Sequence, residues 1–382
     1  MNFDLSPEQA MLADTLSAFL ERNWDEAAHA AGEAIDIVRY RDFWRRLCEE
    51  LGLAALMIPT HGGGLGGGAV ETMIVMQAFG KALVHGPYLS TIVLAGNTLA
   101  AAGGDEVRSI LGGIMAGDVT VALAHNEGST RFDLASAGTA ARRDGTVFKL
   151  SGTKSVVLQA PVASHFLVTG GVEGGGVSLF LVPADASGVT MEPWRSVDGQ
   201  PAGTVCFDGA TALFMVGGEG EGAAVLSPWI DHAILAQCAE AVGIIEALIS
   251  HTAAYLVQRR QFGQPLSAFQ ALQHRLADMV VLREQARSML YMAVLTDDPA
   301  RRKSSVSAVK ILIDRIVLPF PIRIDRILIQ PQHAWIAPVI QATHGASYGG
   351  NDQRILTRAI GDALAPDQDE RRHGHWRHMR QV

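Results

Sequence analysis

The chain has 382 residues, of which 48% are hydrophobic and only 18% charged. That composition describes a globular protein with a large core, divided into two or three compact units. Its formal net charge of -8 supplies no basic field to gather phosphates, which argues against nucleic acid as a partner. Cys48, Cys206 and Cys238 lie far apart without metal-ligand spacing and read as buried thiols in a reducing cytoplasm. The opening Met-Asn-Phe-Asp-Leu-Ser has neither the basic region nor the apolar core of an export signal. The apolar stretch from Ile311 to Ile329 is broken by Asp314, Arg315, Arg323, Asp325, Arg326 and two prolines, so it does not cross a bilayer cheaply. A cytoplasmic protein without membrane insertion is expected.

Residues 1–118 read as helical. Ser6-Pro7-Glu8-Gln9 forms a capping box with proline at the first helical position, and Leu12, Leu16, Phe19 and Leu20 make an inward stripe. The run His61-Gly62-Gly63-Gly64-Leu65-Gly66-Gly67-Gly68 has the glycines of a phosphate loop. However, Ala69-Val70-Glu71 follows where a Lys-Ser or Lys-Thr pair is needed, and the surroundings are helical. A glycine-rich connection between helices is expected there.

The period changes over residues 119–227. Val119-Thr120-Val121, Lys154-Ser155-Val156-Val157-Leu158 and Val177-Ser178-Leu179-Phe180-Leu181-Val182 are short β-branched runs between glycine-rich turns. His125 and Glu127 alternate after the first run and read as a polar strand edge. From residue 228 the helical period returns through Ile230, Ile234, Leu235, Cys238, Val242 and Ile245. Arg259 and Arg260 then stand at the end of a helix, where the dipole favours a cation and a guanidinium can pair bidentately with phosphate. Phe262-Gly263 and Pro265 make a turn, after which Phe269, Leu272, Leu276, Met279 and Val280 recur as an inward helical face.

The string from Arg259 to Met279, with the helix–strand–helix order, resembles the acyl-CoA dehydrogenase family, flavoenzymes that desaturate acyl-CoA thioesters. The resemblance runs to about residue 310. It implies an α+β fold: a helical domain over 1–118, a β-barrel-like domain over 119–227 and a helical bundle over 228–382, atypical from 310 onward. It also implies FAD. Arg259 would reach the flavin pyrophosphate of a neighbouring subunit, Gln270 would contact the same dinucleotide and Phe262 would pack beside it. Gln341 and Gly345 echo another family segment that meets the flavin. Contacts that cross a subunit boundary imply an oligomer. Glu127 and Ser129 stand where the family carries a loop against the flavin, and the stretch from His125 to Leu134 is similar to the small subunit of pimeloyl-CoA-type, two-component dehydrogenases.

The chain also departs from the family pattern. Ser155 and Val157 occupy the segment where most members set a Trp and a hydroxyl residue against the flavin. The reaction needs a carboxylate base, raised by desolvation, to take the proton α to the thioester. Aligned with the usual C-terminal position, this chain has no glutamate and places Ala365 nearby. The minority position, early in the first helix of the last domain, carries Asp231, whose other reading is a helix-start aspartate favoured by the dipole. Asp367 and Glu240 are weaker candidates. Pro319, Pro321, Pro331 and Pro338 interrupt the region where long helices are expected, and the arginines and histidines after Arg371 read as a solvated tail, so no metal site is expected. The implied activity is FAD-dependent α,β-desaturation of an acyl-CoA, with electrons passing to an electron-transfer flavoprotein and a homologous large subunit or further copies as partners. The alternatives are a catalytically silent subunit that completes a partner's flavin site, and a flavin monooxygenase on the same fold.

Overall fold

The computed structural model describes residues 4–24, 37–128, 133–196 and 199–317. The capping box forms as its sequence dictates at the start of α1 (Pro7–Asn23): the Gln9 N–H donates to the Ser6 hydroxyl at 3.2 Å, and the Ser6 N–H donates to the Gln9 side chain at 3.0 Å. Leu16, Phe19 and Leu20 are buried on its inner face, with Leu12 half-buried. Next come α2 (Ile37–Leu51), α3 (Leu53–Met57) and α4 (Ala69–Ala82). A π-helical run, Tyr88–Gly96, leads into α5 (Asn97–Ala102) and α6 (Asp105–Ala116).

The glycine run between α3 and α4 turns its donors inward. Leu65, Gly66 and Gly67 donate to the carbonyls of Ala55, Ile58 and Leu56 at 2.8, 3.0 and 2.7 Å. A Cβ on Gly64 would stand 2.1 Å from the Ile58 carbonyl oxygen. The N–H groups a phosphate would need are already bonded, so the run is a close-packed connection between helices.

Eight strands follow: β1 (Val121–Ala124), β2 (Ala140–Asp144), β3 (Val147–Leu158), β4 (His165–Val172), β5 (Gly176–Pro183), β6 (Val189–Arg195), β7 (Pro201–Thr211) and β8 (Phe214–Val216). Their order is β6-β7-β3-β2-β4-β5-β8, with β1 parallel to β4. A bridge between Asn126 and Val156 ties the chain after β1 to β3, so that β1, β4, β2 and β3 close a barrel-like ring. Phe148, Leu150, Val157, Phe166, Phe180 and Phe207 are among the residues that fill it.

The helix α7 (Gly222–Gln258) has 37 residues and contains Pro228 in its second turn. It therefore starts earlier than the periodicity from residue 228 suggests. It is long and apolar enough to cross a membrane, but 72% of its most apolar window is buried inside the protein, as befits a core helix. Close packing against α4 relies on two glycines. A Cβ on Gly80 would lie 2.0 Å from the Glu240 carbonyl oxygen, and one on Gly243 would lie 2.1 Å from that of Gln77.

Beyond α7, β9 (Arg260–Gln261) and β10 (Gln264–Pro265) form a hairpin, and α8 (Gln270–Val294) and α9 (Pro299–Val317) pack on α7. The stripe expected to face inward on α8 does so only in part. Met279 is buried, but Phe269, Leu272, Leu276 and Val280 stay half-exposed, because only the second half of α8, around Ala286, Leu290 and Ala293, enters the core. Cys48 and Cys238 are buried, and burial pushes both thiols up to about 12; Cys206 is half-buried. The proline-rich stretch and the basic tail lie outside the described residues.

Gly243→Ala should lower stability by about 2 kcal/mol or more, since backbone must separate to admit the methyl group. Gly112→Ala on α6, where a Cβ meets nothing within 4 Å, should instead raise stability by up to about 1 kcal/mol. Urea unfolding midpoints read both changes, and equal effects would contradict this packing.

Candidate functional site

His125 and Glu127, just beyond β1, do not line a polar edge. They are 6% and 5% exposed and converge on Lys154 of β3, which is fully buried. Lys154 Nζ donates to Glu127 Oε1 at 2.6 Å, to Thr169 Oγ1 at 3.0 Å and to the His125 carbonyl at 3.3 Å. Glu127 Oε1 also accepts from the Thr139 N–H at 3.0 Å and the Thr139 hydroxyl at 2.7 Å, while Oε2 accepts from the Gly138 N–H at 2.5 Å. Burial would lift the Glu127 carboxyl, but Lys154 and Thr139 hold it below the usual carboxylate range. Burial lowers Lys154 against the pull of Glu127, and burial, then Lys154, lowers His125. The Glu127 carboxylate, placed by the sequence beside a flavin, is thus turned inward and ties together both ends of the segment from 127 to 139. Lys154 was legible only as part of the segment around Ser155; its burial follows from the strand's alternation. Ser129 lies outside the described residues.

A bulge between Lys154 and Val157 shifts the register of β3 against β7, which re-aims the side chains around it. Val157, expected in the flavin-facing segment, points into the barrel and is fully buried. The residues that emerge are Val156 and Leu158, the latter 36% exposed. Ser155 is half-buried and fixed to the Asn126 carbonyl by its N–H at 2.9 Å and its hydroxyl at 3.3 Å. The structure thereby joins two segments that the sequence singled out separately.

At the hairpin, Phe262 and Gly263 both have positive φ, 52° and 80°, as a two-residue type I′ turn requires. Glycine takes that conformation freely. Phenylalanine pays a strain of about 1–3 kcal/mol, here for a ring 89% exposed whose edge meets Phe269 at 6.1 Å between centroids. A strained, exposed aromatic residue points to function rather than folding. Arg259 caps α7: its N–H donates to the Tyr255 carbonyl and its carbonyl accepts from the Leu266 N–H, each at 2.8 Å. That turn brings it beside the start of α8, where Gln270 is the first residue. Both side chains are exposed and without partners among the described residues. A free guanidinium and a free amide so placed fit an anionic dinucleotide.

Asp231 is the tenth residue of α7, beyond the first turn in which the helix dipole acts, so the helix-start reading fails. It is half-buried and makes no ion pair or hydrogen bond among the described residues. Its neighbour His232 accepts at Nε2 from Arg302 at 3.2 Å and lies 5.2 Å from the Trp229 ring. Burial, then Arg302, lowers the His232 pKa against the pull of Asp231. His232 lines a small cavity with Ala69, Thr72, Met73, Leu235, Ala236 and Val294. Asp231 and Arg259 lie near opposite ends of α7, about 42 Å apart at 1.5 Å per residue. Glu240 is in mid-helix against Gly80. Gln341, Gly345, Ala365 and Asp367 lie outside the described residues.

Helical, sheet and helical parts in this order, with this hairpin, define a flavoprotein dehydrogenase fold. Three family descriptions match in chain order: Acyl-CoA dehydrogenase, N-terminal domain over residues 6–118, middle domain over 122–210 and C-terminal domain over 220–317. The chain belongs to the acyl-CoA dehydrogenase family, FAD-dependent oxidoreductases acting on CH–CH groups. It is 27% identical to acyl-CoA dehydrogenase IpdE2 of Mycolicibacterium smegmatis, over 76% of this chain and 78% of that one. It is 33% identical to acyl-CoA dehydrogenase FadE27 of Mycobacterium tuberculosis, over 62% of each chain. Among solved structures, it is similar to the Tcur3481-Tcur3483 steroid ACAD G363A variant, with a TM-score of 0.75 and 28% identity over 93% of this chain and 99% of that one. The ChsE4-ChsE5 complex from Mycobacterium tuberculosis shares the fold, with a TM-score of 0.79 and 24% identity over 96% and 100%.

Lys154→Met leaves the Glu127 charge buried and uncompensated and should cost about 3–5 kcal/mol in a denaturant titration, part of which Glu127→Gln added to it restores. Because the folded-state pKa of Glu127 is depressed, its stabilisation is complete above the ordinary carboxylate range and is lost as pH falls through the lowered folded-state value. Glu127→Gln should therefore flatten the acid limb of a plot of melting temperature against pH. An unaltered acid limb would contradict the role of the pair.

Proposed function

We propose that this chain is a subunit of a cytoplasmic two-component acyl-CoA dehydrogenase that desaturates an acyl-CoA between its α and β carbons and passes electrons to an electron-transfer flavoprotein. The observation that carries this reading is the strained hairpin, with Phe262 outward and the exposed side chains of Arg259 and Gln270 without partners among the described residues. Arg259 would hold the pyrophosphate of FAD bidentately, Gln270 would donate to the same dinucleotide and Phe262 would cover it. Bound flavin supplies the acceptor for the hydride leaving the β carbon. Asp231 would take the α proton, a task that needs the thioester oxygen hydrogen-bonded in a dry pocket. On this reading the domains divide at 118/119 and ahead of α7, whose start at Gly222 moves the second boundary back from the expected 227/228.

The separation along α7 supports a site shared between subunits. Arg259 cannot hold the same flavin that Asp231 of its own chain serves, so each chain would lend its hairpin to a neighbour. A large-subunit homologue as that neighbour is supported by the Tcur3481-Tcur3483 likeness, which names two polypeptides.

A second reading, a catalytically silent subunit that only lends Arg259 and Gln270, is favoured by the aliphatic Val156 and Leu158 on the outer face of β3, which offer no hydroxyl or ring. Asp231→Asn separates the two readings. If this chain is catalytic, the purified assembly should keep its flavin and lose turnover at least about 100-fold; unchanged turnover makes it the lender. A protein that carries no flavin, either alone or with its partner, would defeat both.

A further inference from the structure

Arg302 of α9 is half-buried, yet it bonds no carboxylate among the described residues. Its Nε donates to the Thr296 carbonyl at 3.2 Å and its Nη1 to His232 Nε2 at 3.2 Å. Asp298, one turn earlier, pairs with Arg301 instead, at 3.6 Å. A guanidinium keeps its protons at any ordinary pH, so the imidazole is the acceptor, neutral, with its hydrogen on Nδ1. The ring lies against Trp229 at 5.2 Å, and Ala69, Thr72 and Met73 of α4 with Val294 of α8 enclose the small cavity beside it. None of these carries a charge, so Arg302 and Asp231 are the charged groups that bear on the ring. Asp231, the residue before it on α7, is half-buried and makes no ion pair or hydrogen bond among the described residues. A half-buried cation and a half-buried anion on packed helices attract strongly, and here a neutral imidazole takes the cation.

We infer that His232 is a positioning residue for the proposed base: by accepting from Arg302 it keeps that guanidinium off Asp231 and leaves the carboxylate unpaired for the α proton. A carboxylate paired with arginine is a weaker base, because the opposite charge favours its ionised form. Burial, then Arg302, holds His232 below its usual range, so the imidazole stays neutral and the clamp closed around neutral pH. The inference rests on the reading of Asp231 as the base and adds to it what keeps that base unpaired.

The test follows turnover of saturated acyl-CoA thioesters, from butyryl to palmitoyl, by the native assembly across a range of pH. His232→Leu fills the space of the ring without offering an acceptor. It should lower kcat about tenfold, leave KM and flavin content near wild type and move the acid limb of kcat to lower pH. Adding Arg302→Met removes the released cation and should restore most of the loss. His232→Gln, which keeps a neutral acceptor for Arg302, should behave like wild type. A merely structural role predicts the opposite, a second substitution that deepens the first. Should His232→Leu fail to fold, His232→Ala with and without Arg302→Met makes the same comparison. A His232 variant without an acceptor that keeps the wild-type kcat and acid limb, or a loss that Arg302→Met deepens, overturns the inference alone, provided Asp231→Asn still abolishes turnover. Unchanged turnover in Asp231→Asn, or a wild type that turns over none of the thioesters, overturns both the inference and the reading beneath it.

Discussion

One unbroken helix of 37 residues sets the distance between Asp231 and Arg259, the two groups on which the proposed function rests. At its far end the chain turns back through a strained hairpin, with the exposed Arg259 side chain meeting no partner among the described residues. Near its start it carries Asp231 and the His232–Arg302 contact. Helix rise alone puts these about 42 Å apart, and no rotamer change closes such a gap. The glycine contacts at Gly80 and Gly243 hold α7 hard against α4, so the spacing is rigid. On the proposed function, a single chain would present two partial sites and share its flavin with a neighbour across the length of this helix.

The sheet obeys a different constraint. Its outward segments hang on one buried ion pair, Lys154 with Glu127, whose carboxylate gathers both ends of the loop from 127 to 139. Burying two charges is costly, and such a pair stabilises only when the remaining lone pairs and protons are satisfied. Here Thr139, Thr169, Gly138 and the His125 carbonyl satisfy them. The resulting platform joins β1 to β3 by the Asn126–Val156 bridge and the Ser155 bonds. A cofactor laid on that face meets a surface fixed from beneath.

Much of this was legible in the sequence. The Ser6 capping box and the β-branched runs from Lys154 and Val177 fall where local rules place them, while the run from Val119 enters a strand only at Val121 and, of the three cysteines, Cys206 is only half-buried. The glycine run from Gly62 to Gly68 was also readable, since the residues after it lack phosphate-loop chemistry. What was hidden depends on register and tertiary pairing. The bulge at β3 moves Val157 inside and sends Leu158 outward, and no period-2 count on one strand reveals a one-residue shift. His125 and Glu127 look like a solvated edge until Lys154 is brought to them from a strand about thirty residues later. Asp231 looked like a helix-start residue because the apolar period becomes legible only from residue 228, whereas α7 starts at Gly222 and runs straight through Pro228. The half-exposed front of α8 has the same origin: periodicity marks an apolar face but not what covers it.

The most direct measurement is an experimental structure of the flavin-loaded assembly. The account predicts that Arg259 of one chain meets the flavin pyrophosphate while the ring of that flavin lies against the β3 face of another chain. A flavin held at both points by the same chain, or an Arg259 that remains in solvent, would contradict it.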